Sequence, residues 1–193
     1  MKKVISITLA LVMLCLGVVA FADAAPSKTT EDLLTMEAVP ANPVEGSGFF
    51  FFPVTEKYVD VTKYQAQLDA AAAELEKIQK DGAEAYFGEE TVAAVKAING
   101  AEKVTVDELF AVVAGNYEET MGDVTVTVEM ATPYAKDQKV AVLVGDVTAD
   151  GAAWKTFEGV GVGDAGAIQV VLDPATVLAV QNGIGLFAVA GNH

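Results

Sequence analysis

The sequence predicts an α+β protein with an N-terminal helical pair packed beside a C-terminal antiparallel β-sandwich of immunoglobulin-like type. Three observations predict it. Tyr64, Leu68, Ala71, Leu75 and Ile78 recur at the spacing of a helix with one buried face. Val124, Val126, Val128 and Met130 alternate with Thr125, Thr127 and Glu129, the period of a strand with one face on a core and one in water. Val140 to Val144 is apolar in both phases, as expected of a strand covered on both sides. Joined by one polar loop, these two strands are expected to pair as a hairpin at the middle of the β region.

The chain divides into four stretches. Residues 1–24 read as a secretory signal peptide: Lys2 and Lys3, an apolar run from Val4 to Phe21, then the small-x-small site Ala22-Asp23-Ala24. The run is also about long enough to span a bilayer, but no cationic stop-transfer group follows. Leu14 before Cys15 is the wrong shape for a lipidation signal. Residues 25–48, with Pro26, Pro40, Pro43, Gly46 and Gly48, read as a flexible segment or as irregular chain lying over the domain. Residues 49–102 hold an aromatic strand and two helices, and residues 103–193 the β-sandwich.

Four consecutive phenylalanines, Phe49 to Phe52, cannot all face inward from one half-buried strand. Either both faces are covered or some rings form an interaction patch. The first helix is expected over Asp60 to Gly82, capped by Thr62, with Glu74, Glu76, Lys77 and Lys80 on its wet side. A second runs from about Glu89 to Ile98, with Val92, Val95 and Ile98 inward and Asn99-Gly100 as its stop, the link being Asp81 to Gly88. Leu109 to Ala114 favours a strand, and Val104 to Val106 either a strand or a turn. Trp154 to Val160, Ala167 to Leu172 and Ile184 to Ala190 follow as strands, the last two separated by a capped turn or short helix with Asp173 at N-cap and Pro174 at N1. Six or seven short β runs bounded by Gly, Asn, Asp and Pro turns favour a sandwich over a barrel.

Charge and composition narrow the functional classes. The 193 residues carry 12 Lys+Arg against 27 Asp+Glu, a formal net charge of −15, and no arginine. Such a surface suits neither nucleic acid nor anionic membrane. Past the signal there is no cysteine, so the fold rests on packing without disulfides. Serine is confined there to Ser27 and Ser47, and the single histidine, His193, is terminal. These absences remove Ser-His and Cys-His catalysis and histidine-rich zinc sites. A carboxylate pair is what remains for hydrolysis, with Glu89, Glu90, Asp107, Glu108, Glu118 and Glu119 as candidates.

Two motif-like features carry little. Gly161, Gly163 and Gly166 match G-x-G-x-x-G, but a strand follows where a dinucleotide-binding turn needs a helix. Asp146 to Gly151 imitates the front of a calcium loop, but its third position is Thr148 and its twelfth Phe157. With Asp164 brought in by folding, Asp146 and Asp150 define a weak calcium site as the alternative to an Asx turn.

The phrases GNYEETMGDVTVTVEMATPYAKDQKVAVLVG and WKTFEGVGVGDAGAIQVVLDPATVLAVQNG, within Val104 to Asn192, resemble the C-terminal part of small exported proteins of gut Clostridia and their relatives. That resemblance implies a bacterial, extracytoplasmic, sandwich-like module and transfers no active site. The expected function is therefore an exported, secreted or surface-associated module, non-catalytic, acting by binding or as structure. No cofactor or metal is expected, and the partner is a protein or a glycan at the cell surface. A small carboxylate-dependent glycoside hydrolase is the alternative. Sugar binding uses exposed rings, and Tyr117, Tyr134 and Trp154 are the rings near the β loops.

Overall fold

The computed structural model describes residues 34–130, 133–148, 151–163 and 166–190. The signal sequence, Cys15, Asp150, Asp164 and His193 lie outside them. Eight antiparallel strands form one sheet: β1 (Thr35–Pro40), β2 (Phe50–Pro53), β3 (Glu108–Gly115), β4 (Val124–Glu129), β5 (Lys139–Thr148), β6 (Gly151–Val162), β7 (Ala167–Leu172) and β8 (Gly185–Ala190). Their order across the sheet is β1-β4-β7-β6-β5-β8-β3-β2. Three helices accompany them, α1 (Gln65–Asp81), α2 (Ala83–Asn99) and α3 (Pro174–Asn182).

The sheet curls until its two edge strands, β1 and β2, approach one another, so the whole is nearly barrel-shaped. No ladder joins them. The seam is bridged instead by side chains after β2: Met36 N–H donates to Tyr58 Oη at 2.9 Å, and Lys57 Nζ donates to Thr35 Oγ1 at 3.0 Å. The expectation of two packed sheets is thus corrected to one curled sheet. Strand patterns specify which residues face inward but not whether a sheet splits or closes. Thr35 to Pro40, expected to be flexible or irregular, is a strand because Met36, Ala38 and Pro40 turn inward along β4.

The expected hairpin between Val124–Met130 and Val140–Val144 is also corrected. β4 pairs with β1 and β7, and β5 with β6 and β8. The two strands share a core without sharing hydrogen bonds: Val124, Val126 and Val128 meet Val140, Val142 and Val144 inside the barrel. A period of two fixes a face, and either pairing satisfies it.

Outside the barrel a second core forms. Outward residues of β3, β5 and β8, among them Ala111, Leu143, Leu186 and Ala188, pack against Leu68, Leu75 and Ile78 of α1 and Val95 of α2. Helix α1 is preceded by a 3-10 turn, Val61–Tyr64, which Asp60 rather than Thr62 caps, its side chain accepting from Thr62 N–H. Gly88, at φ 76°, breaks α2, and the turn before it, expected to be a linker, is helical and supplies Tyr86 and Phe87. Helix α3 is capped as expected, with Thr176 N–H donating to Asp173 Oδ1 at 2.9 Å. It closes one end of the barrel through Val177 and Val180.

The phenylalanine run is split by the pleat. Phe51 is buried inside the barrel; Phe50 and Phe52 lie outside it, stacked at 5.0 Å, with Tyr58 stacked on Phe52 at 6.0 Å. Phe50 lies over Gly115, its partner on β3, so an aromatic ring covers the bare backbone of a strand glycine. Both faces of the run are therefore packed.

Candidate functional site

Among the described residues one charged side chain is buried, Glu74, at 3% exposure. It was expected on the wet side of α1, yet it stands three residues after Ala71 and four before Ile78, on the buried stripe. That spacing was the available signal. Tyr86 Oη–H donates to Glu74 Oε2, Lys77 Nζ lies 2.7 Å from Glu74 Oε1, and Trp154 Nε1–H donates to Tyr86 Oη at 3.0 Å. Phe87 meets the Trp154 ring edge-on at 5.4 Å, and that ring lies over Gly145 of β5, 2.9 Å from where a Cβ would stand. Burial first, and then the hydrogen bond to Glu74, push the Tyr86 hydroxyl above the usual tyrosine range. The arrangement ties both helices to the β5–β6 hairpin. Trp154 is half-buried with its N–H engaged inside the protein, so it presents no free platform to a sugar.

The other two rings are no more available. Tyr134, 3% exposed, seals one end of the barrel and donates to Asp107 Oδ2 at 2.6 Å; burial first, then the Asp107 charge, raise its hydroxyl well above the ordinary range. Tyr117, 4% exposed, donates to the Gly122 carbonyl at 2.6 Å. Its main chain is clasped by Gln181, which accepts from Tyr117 N–H at 2.7 Å and donates to Tyr117 O at 3.3 Å. That clasp docks α3 on the loop after β3.

The carboxylate candidates do not converge. Glu89 and Glu90 are exposed on α2, and Glu118 and Glu119 are exposed beside the 3-10 turn after β3. Asp107 and Glu108 are half-buried at the start of β3, where Asp107 N–H donates to Val189 O at 2.8 Å. Asp146, the described member of the calcium candidates, pairs in register with Ala153 and Gly185. Its Oδ1 is buried without a hydrogen-bond partner against Gly183, where a Cβ would collide with it. Among the described residues no three His, Cys, Asp or Glu side chains gather to hold a metal ion.

The glycine motif has a structural use. The loop from Pro133 to Gln138 crosses the end of the β6–β7 hairpin, where Asp137 N–H donates to Gly161 O and Gly161 N–H to Gln138 O, at 2.9 and 2.8 Å. A Cβ on Gly161 would run into the Ala135 carbonyl, and one on Gly166 would sit 2.6 Å from Pro133 Cα. These glycines make room for a crossing chain.

What remains for recognition is surface. The outer sides of β1, β4 and β7 carry none of the residues that form the helix-covered core. In register, Val39, Thr125 and Val171 form one row across the three strands, and Glu37, Thr127 and Gln169 the next. Val39 is 49% exposed and Val171 50%. No family model matches the sequence, and no match was found among curated proteins or solved structures. No described helix is long and apolar enough to cross a membrane.

Proposed function

We propose that this protein is an exported bacterial module that acts by binding or as structure, without catalysis, outside the cytoplasm. One observation carries the reading: among the described residues the barrel is sheathed by helices on one flank and not on the other, and the second flank holds two half-exposed valines in one row. Exposed aliphatic side chains on a rigid sheet favour contact with another molecule. The groups best suited to chemistry are engaged inside the fold, Glu74 with Tyr86 and Lys77, and Asp107 with Tyr134. Export rests on Lys2, Lys3, the apolar run and Ala22-Asp23-Ala24.

Two measurements test this. Mass spectrometry of the secreted protein should find a first residue near Ala25. The chain from residue 25 to 193, presented to cell-wall material, mucin, host surface proteins and a panel of glycans, should bind saturably without turnover. Turnover of a glycan that disappears in Asp107→Asn or Glu108→Gln would replace this reading with a carboxylate hydrolase.

A further inference from the structure

We propose that the outer face of β1, β4 and β7 docks a basic protein segment, which seats aliphatic side chains on Val39 and Val171 and a lysine or arginine against Glu37 and Glu129. The proposal rests on the reading of the chain as a binding module and names the partner for it. The inward residues of the three strands belong to the barrel core, so Glu37, Val39, Thr125, Thr127, Glu129 and Val171 all project outward. Val39 and Val171 are separated by one strand, about 10 Å at ordinary strand spacing. Thr125 lies between them and keeps the row level with short β-branched side chains.

Charge lies two residues away along the strands. Thr127 opposes Glu37 and Thr35 opposes Glu129, which makes the two glutamates diagonal neighbours on adjacent strands. Both are exposed, and neither takes part in the ion pairs among the described residues. Lys57, bonded to Thr35, is the one ammonium that the hydrogen bonds of this face bring to its rim, so the two carboxylates exceed it. Like charges on neighbouring strands repel. A guanidinium or ammonium from outside relieves that repulsion and gains charge-assisted hydrogen bonds.

The same inventory decides between occupants. No aromatic ring projects from this face, so a sugar has nothing to stack on. A second copy would bring the same acidic pair and the same net charge of −15. A basic protein segment satisfies both the valines and the glutamates.

The test uses residues 25–193 and three labelled nine-residue synthetic peptides, alternating valine with lysine, valine with glutamate, and serine with lysine, followed by fluorescence anisotropy. The valine-lysine peptide should bind best. Glu37→Gln with Glu129→Gln, and separately Val39→Ser with Val171→Ser, should each weaken it about tenfold. Glu89→Gln with Glu90→Gln, which changes the net charge equally on the far flank, should leave it within about twofold. Equal losses in both glutamate pairs would mean general charge attraction and would overturn the proposal. So would absence of binding, binding indifferent to valine, or self-association abolished by Val171→Ser. These results displace the surface only, whereas glycan turnover would displace the module reading itself.

Discussion

The two flanks of the barrel are built from the same ladder and differ in every second residue. On β3, β5 and β8 the outward positions are apolar, as at Ala111, Leu143, Leu186 and Ala188, and two helices lie on them. On β1, β4 and β7 they are Thr125, Thr127, Glu129 and their neighbours, and no described helix does. Inward residues are alike on both flanks, valine above all. The chemistry of the second face alone therefore decides where the helix layer docks, because an amphipathic helix releases water only where it meets apolar surface.

Aspartate substitutions break this comparison most directly. Leu143→Asp and Thr127→Asp both place a carboxylate on the outer side of a strand. The first should abolish cooperative melting, since a buried unpaired charge costs several kcal/mol against a total stability of about 5–15. The second sets a carboxylate directly opposite Glu37 and should cost only about 0.2–1 kcal/mol, with the fold intact. Val142→Asp and Val126→Asp, both inward, should unfold as Leu143→Asp does, and circular dichroism should set Thr127→Asp apart from the other three.

Next in size is the crossing loop. Gly161→Ala meets the Ala135 carbonyl and should lose about 1–3 kcal/mol in chemical denaturation. Gly163→Ala has open space and pays only for its φ of 67°, about 1 kcal/mol.

The two buried hydroxyls, Tyr86 on the covered flank and Tyr134 at the barrel end, should also show themselves in alkali. Burial raises the hydroxyls of Tyr86 and Tyr134 above the ordinary tyrosine value of about 10, so the unfolded chain releases those protons first as pH rises. The stability they contribute is complete below pH 10 and declines above it. Absorbance near 295 nm should therefore record their ionisation together with unfolding. Tyr86→Phe leaves Glu74 Oε2 and the Trp154 N–H without their hydrogen bonds, should cost about 1–3 kcal/mol, and should shift tryptophan emission.

Smallest are the changes at the barrel rim. Asp173→Ala removes the α3 cap and should cost about 1 kcal/mol by thermal melting. Lys155→Ala breaks the exposed pair with Asp173 and should cost less, about 0–1 kcal/mol.

Much of the element pattern could be read from the residues, and what could not has physical causes. The stripe Leu68, Ala71, Leu75 and Ile78 is buried as its spacing required. Val140 to Val144 is covered on both faces, and Ile168, Val170 and Leu172 point inward. Pairing was harder to read, because alternation says nothing about which strand comes alongside, and so β4 was matched with β5 and the sheet split in two. Glu74 has the charge of a solvent-facing residue and the helical position of a buried one, and in the fold position decides. Tyr86 and Trp154, separated by 68 residues, meet only in the fold. The β1 strand is hidden by Pro40, which an edge position tolerates.

The seam between β1 and β2 sets a kinetic order for the molecule. Amides of β5, flanked by ladders to β6 and β8, can exchange hydrogen with solvent only through large-scale unfolding. That of Met36 is released once the Tyr58 hydroxyl lets go. Hydrogen exchange should therefore begin at the seam and reach β5 last, so that the barrel unzips from one side.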